Sequence, residues 1–198
     1  MNSYLTLIGS FIIGGLFLLS INRYHASFNQ YSDEKLLEGI TIQKSSEIIK
    51  LIEHDFNCMG FGLPTSLYQP NVQAIDKAGA DSIYFYSDIN ADGTVDIVKY
   101  SLSNTTAADG TENPQDKILY RLVNTEPRVE AALGVTQFQI RYFKSTGDTI
   151  TNLADSAQLD SVRTFEITLR VESTIGYDNQ YSSFYWQTKI TPPNLTRY

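Results

Sequence analysis

The chain has 198 residues, of which 42% are hydrophobic, and a formal net charge of −7. That length suits one domain with an appendage. An acidic balance without a Lys/Arg cluster argues against phosphate-dependent nucleic-acid binding, and the single cysteine, Cys58, excludes an internal disulfide or a Cys-based zinc cluster.

The first element is the uncharged run LTLIGSFIIGGLFLLSI at residues 5–21. As a helix, residues 4–21 span about 27 Å, close to the roughly 30 Å of a bilayer's hydrocarbon core. No basic residue precedes the run, and INRYHASFNQ offers little cleavage pattern at Ala26, so it reads as a retained anchor and not as a cleaved secretory signal. Ser10 and Gly14 stand four apart, the spacing at which small side chains let helices approach closely in lipid. Arg23 and Lys35 follow the span, with Asp33 and Glu34 among them, so charge leaves the orientation open. The Tyr-, Asn-, Thr- and Ser-rich body reads as extracytoplasmic.

Residues 22–31 are expected to continue the helix into water. Ser32 reads as an N-cap, with Asp33 and Glu34 in the first turn, and Gly39 weakens the turn that follows. Ile48, Ile52 and Phe56 recur at i+4 with Leu51 and Met59 alongside, while Lys44, Glu47, Lys50 and Glu53 take the wet side. This is an amphipathic helix over 32–59, ended by GFGLP. The N-terminal third is one long helix or two coaxial pieces joined softly near 29–39.

The remainder alternates with period two. Strands are expected at 82–87, 94–102, 116–123, 136–143, 164–172 and 183–190. In the clearest, Phe165, Ile167, Leu169 and Val171 point inward and Glu166, Thr168, Arg170 and Glu172 outward. Phe138, Ile140 and Tyr142 share a face in 136–143, and Phe184, Trp186 and Ile190 in 183–190. Segments 103–115 and 144–161 read as surface loops. The fold class is therefore α+β: a long N-terminal helix, membrane-spanning in its first half and amphipathic in its second, packed on a C-terminal antiparallel sheet. The organisation is an anchoring and assembly helix over 1–31 and a globular domain over 32–198, its sheet occupying 72–191.

This order of segments resembles the type IV pilins and pseudopilins. LTLIGSFIIGGLFLL is similar to the hydrophobic start of that family. DSIYFYSDINADGTVDIVKYSL, LGVTQFQIRYF and SVRTFEITLRVES resemble successive sheet segments of PilW-type minor pilins and of the J-type minor pseudopilins of type II secretion. The resemblance covers most of the chain and implies a filament or pseudopilus subunit, with other pilin-like chains or copies of itself as partners. Leu5, Ile8, Gly9, Ser10, Gly14 and Gly15 are the candidate assembly positions. Two positions depart from the family pattern. Tyr4 stands where the family's leader ends in Gly, and Gly9 stands where the mature helix carries a Glu that registers each new subunit. The expectation is a chain not processed by prepilin peptidase: an unprocessed relative, a tip subunit, or a protein sharing only the fold.

DINADGTVD places Asp88, Asn90, Asp92 and Asp96 at positions 1, 3, 5 and 9 of a calcium-loop pattern, with the Thr94 carbonyl at 7. Position 12 is Lys99 and not the bidentate Glu, and the same residues suit a hairpin turn. Calcium and a plain turn both remain open. No catalytic constellation is legible: His54 and Cys58 stand at i and i+4 without a visible cleft, and Asp55, next to His54, is expected to point elsewhere. The reading is a structural subunit and not an enzyme; a single-span binding module or adhesin, calcium-responsive or not, is the alternative.

Overall fold

The computed structural model describes residues 2–63, 73–124, 129–176 and 180–196. One helix, α1 (Asn2–Cys58), runs unbroken through the N-terminal third. The strands follow in the order β1 (Ile75–Ala78), β2 (Ser82–Ser87), β3 (Asp96–Leu102), β4 (Lys117–Val123), β5 (Val129–Lys144), β6 (Thr149–Ile150), β7 (Val162–Glu172) and β8 (Ser183–Ile190), with a short helix α2 (Ser156–Asp160) before β7. They form one antiparallel sheet in the order β1-β2-β3-β4-β5-β7-β8, with β6 paired to β5.

The C-terminal half of α1 lies on this sheet because only there does its apolar stripe meet an inward strand face. Ile48, Ile52, Phe56 and Met59 are buried among Phe85, Tyr100, Phe138, Phe165 and Leu169. Phe56 is the centre of the layer, with ring centroids 5.7 Å from Phe85, 6.1 Å from Tyr100 and, edge-on, 5.5 Å from Phe165. Such offset aromatic pairs add to plain area burial. Two hydroxyls on the packed face, Thr41 and Ser45, return to the carbonyls of Leu37 and Thr41 at 2.8 and 2.7 Å, so their burial leaves no donor unpaired.

Several expectations need correction. Ser32 caps nothing: it lies inside α1, and residues 29–39 form no joint. Once a helix is nucleated each further residue adds a hydrogen bond, and the pairs Gln30–Glu34 and Lys35–Glu38, at 3.0 and 2.6 Å, bridge the turns around Ser32. Gly39 meets nothing within 4 Å and stays helical. The helix ends at Cys58, where Gly60 and Gly62 adopt φ of 78° and 76°; Pro64 lies outside the described residues.

The first strand was not legible, since Ile75–Ala78 is too short to alternate. The 144–161 segment, read as loop, holds β6 and α2. β5 begins well before residue 136, and Gly134 at φ 87° sits beside its irregular register with β4 and β7. The outward face of β7 is only partly wet, with Arg170 exposed as expected. Glu166, Thr168 and Glu172 are buried, Glu166 beneath Arg141 at 2.8 Å and Lys189 at 3.5 Å. Alternation reports two faces but not whether long cations from neighbouring strands fold over one of them.

Candidate functional site

From Ser3 to Ile40 no residue of α1 is buried, while Thr41, Ser45, Ile48 and Ile52 are. Half the helix therefore stands clear of its own domain. The charge-free part comes first: among the described residues this is the one helix long and apolar enough to cross a membrane. Leu5, Leu7, Ile8, Phe11, Ile12, Ile13, Leu16, Phe17, Leu18 and Leu19 are each at least half exposed, Phe11 at 76%. Covering a side chain of this kind is worth about 1.5–3 kcal/mol, so the ten together lose on the order of 15–30 kcal/mol when left in water. The segment requires a cover that this domain does not supply.

Its backbone and hydroxyls suit an apolar cover. Ser10 and Ser20 donate to the carbonyls of Thr6 and Leu16 at 2.8 and 2.9 Å, so neither hydroxyl needs water. A Cβ built on Gly9, Gly14 or Gly15 would meet nothing within 4 Å, leaving shallow flats on the helix surface. Ser10 and Gly14 share one face. Leu5 and Ile8 are exposed, and Gly9 is half-exposed.

The sequence reading missed what that face does next. Phe17, Ile21, Tyr24, Phe28 and Tyr31 continue it at steps of four and three, and all but half-buried Ile21 are exposed. Steps alternating between three and four are the pattern of a helix seam. It was visible in the spacing but was hidden by treating 22–31 as a polar extension. Residues 22–40 add a stalk of about 28 Å between the apolar run and the packed half.

The acidic hairpin lies at the opposite end, beside the helix C-terminus. It joins β2 to β3, with Ala91 at φ 57° and Gly93 at φ 86°. Asp88 accepts from the N–H groups of Asp92 and Gly93 at 3.0 and 2.9 Å. Asn90 accepts from Asp92 N–H at 3.1 Å and donates to Asp92 at 2.8 Å. Asp92 accepts from Thr94 N–H at 2.7 Å. Asp96 accepts from Ile89 N–H at 3.3 Å and from the Asn124 amide at 2.6 Å. The Thr94 amide, then the Asn90 side chain, holds the Asp92 carboxyl below its usual range. The structure thus brings the pattern residues together as a self-capped turn. Among the described residues no group of three or more His, Cys, Asp and Glu side chains is arranged to hold a metal.

The residues around Cys58 also depart from expectation. His54 Nδ1 lies 3.3 Å from Asp55 Oδ1, and its Nε2 is 3.9 Å from Cys58 Sγ. Asp55 is nevertheless committed elsewhere. Fully buried, it accepts from Tyr100 OH at 2.6 Å and from Arg121 Nε and a terminal guanidinium nitrogen at 2.6 and 3.2 Å. Burial, and then the Asp55 charge, pushes the Cys58 thiol up, which keeps it protonated and poorly nucleophilic. Burial and the same carboxylate raise the Tyr100 hydroxyl well above its ordinary value. The constellation ties α1 to β3 and β4. It was illegible beforehand because its members lie 45 and 66 residues from Asp55.

Neither a scan against protein-family models nor a search of curated proteins finds a match to this chain.

Proposed function

We propose that this chain is a structural subunit of a type IV pilus-like filament or secretion pseudopilus, assembled through the bare half of α1. The observation that carries the reading is the division of one unbroken helix. Up to Ile40 no described side chain is buried, and from Thr41 onward the stripe through Ser45, Ile48, Ile52 and Phe56 is buried against the sheet. A rigid rod fixed at one end presents its apolar half to lipid before assembly and to neighbouring rods after it. The small positions Ser10 and Gly14 admit a close helix, and the aromatic seam through Tyr24, Phe28 and Tyr31 prolongs that contact beyond the bilayer. The family resemblance in the order of segments supports the same reading, and with it a sheet domain outside the cytoplasm.

Gly9, where the family's Glu would register a neighbour, favours a second reading: a single-span anchored binding module that never polymerises. Gly14→Leu separates the two. It adds bulk at the close face while keeping the span apolar, so membrane insertion survives and oligomers are lost if the helix assembles. Leu18→Ala is the control. Equal assembly of Gly14→Leu and parent refutes the close face. Absence of oligomers in the parent leaves residues 5–21 an anchor only.

A further inference from the structure

Every carboxylate of the 88–96 hairpin holds at least one N–H donor. Asp116, at the end of the 103–116 loop, holds none. It is 1% exposed, and neither carboxylate oxygen has a hydrogen-bond partner. A carboxylate so placed does not remain ionised without compensation.

Its surroundings are oxygen-rich and rigid. Glu172, at the end of β7 and 8% exposed, accepts from the Asn113 amide at 2.9 Å and pairs with Arg170 at 3.0 Å. Thr111 turns its hydroxyl to the carbonyls of Ala108 and Asn113 at 3.1 and 3.3 Å. Burial pushes the Asp116 carboxyl above its usual range, the Thr111 hydroxyl draws it back, and the Glu172 charge pushes it up again. Asn113 joins the three residues: its carbonyl accepts from the Asp116 N–H at 3.2 Å and from the Thr111 hydroxyl, and its side-chain amide donates to Glu172. The backbone here is fixed by close approach: Gly134, at φ 87°, brings β5 so near β7 that a Cβ would stand 2.5 Å from the Glu172 carbonyl oxygen. Glu112 N–H donates to the Thr174 carbonyl at 3.1 Å, and Tyr181 OH to the Glu112 carbonyl at 2.9 Å, so the loop is tied to both sides of the β7–β8 connection.

We propose that Asp116 and Glu172, with the Thr111 hydroxyl and adjacent loop carbonyls, hold a hard divalent cation of the calcium class that clasps the 103–116 loop to the end of β7. Carboxylate, hydroxyl and carbonyl oxygens are the donors such an ion takes, at about 2.3–2.6 Å each. Ligands on opposite sides of the ion then stand about 5 Å apart, farther than a hydrogen bond spans. The site is distinct from the hairpin whose spacing mimics a calcium loop, and it does not depend on the assembly reading.

The test uses the full chain in detergent, with calcium chloride titrated calorimetrically and thermal unfolding followed with calcium or with EDTA. The proteins are the parent, Asp116→Asn and Asp92→Asn. The parent is expected to bind about one calcium and to melt about 5–10 °C higher at 100 times Kd. Asp116→Asn should lose both responses, and Asp92→Asn should keep both. Because the amide is isosteric and removes a buried charge, Asp116→Asn should melt in EDTA at or above the parent. A parent indifferent to calcium overturns the proposal. So does a response that survives Asp116→Asn or disappears with Asp92→Asn, and so does a lower melting temperature of Asp116→Asn in EDTA.

Discussion

Replacing Asp55 by Ala removes the acceptor of three hydrogen bonds at the packed end of α1. Tyr100 OH loses a 2.6 Å partner in a fully buried setting, and Arg121 loses both of its contacts to the carboxylate. Breaking a buried ion pair from one side costs about 3–5 kcal/mol, mostly through the charge left behind. The Arg121 side chain is 22% exposed and regains some water, which places the cost near the lower end, at about 3 kcal/mol. For a chain of this size each kcal/mol moves the melting temperature by about 2–4 °C, so the expected fall is about 6–12 °C. Near-ultraviolet circular dichroism of the detergent-solubilised chain reads it directly. The triple replacement Asp55→Leu, Tyr100→Phe, Arg121→Met should recover most of the loss, because apolar groups of similar shape need no partners. A fall under about 2 °C for Asp55→Ala, or a triple variant no better than the single, refutes the view that this constellation fixes the helix to the sheet.

Phe56→Ala should cost about 3–5 kcal/mol by chemical denaturation, since three aromatic rings lose their shared contact; a cost below about 1.5 would mean the layer collapses around the gap. Gly134→Ala should destabilise by at least about 2 kcal/mol, combining a left-handed backbone with a clash against the Glu172 carbonyl. Asp88→Ala should cost about 1–3 kcal/mol by leaving the Gly93 amide without its acceptor and the Asp92 amide with Asn90 alone, with or without calcium. In EDTA the raised Asp116 carboxyl stabilises the fold fully below its ordinary value of 3.8 and loses that contribution as pH rises through its folded value. Asp116→Asn should therefore gain on the parent between acid and neutral pH, measured as melting temperature against pH, and a constant difference would contradict the assignment.

What was legible in the sequence followed from period. Strict alternation located β2 and β8 to the residue and put Phe138, Ile140 and Tyr142 on the buried face. The i+4 recurrence of Ile48, Ile52 and Phe56 identified the packed stripe of α1. Short or irregular elements escaped, because Ile75–Ala78 and Thr149–Ile150 owe their pairing to neighbours and not to pattern. Ser32 misled because capping residues also sit inside helices when the helix on both sides is already formed. Asp55 and Asp116 were invisible as buried groups: a charged residue reads as solvent-facing until the fold supplies Arg121 for one and withholds a partner from the other. The assembly face was half legible. Ser10 and Gly14 were marked by size, while Tyr24, Phe28 and Tyr31 carried a seam that polarity disguised.

The central claim, that the bare helix is covered by other helices, is tested most directly by photo-crosslinking in intact cells. A photoreactive side chain is placed in turn at Phe17, at Phe28 and, as a control, at Gln139 on the exposed outer face of the sheet. The account predicts ladders of linked subunits from positions 17 and 28 and none from 139. Membrane-inserted protein that gives no ladder from either helix position contradicts it.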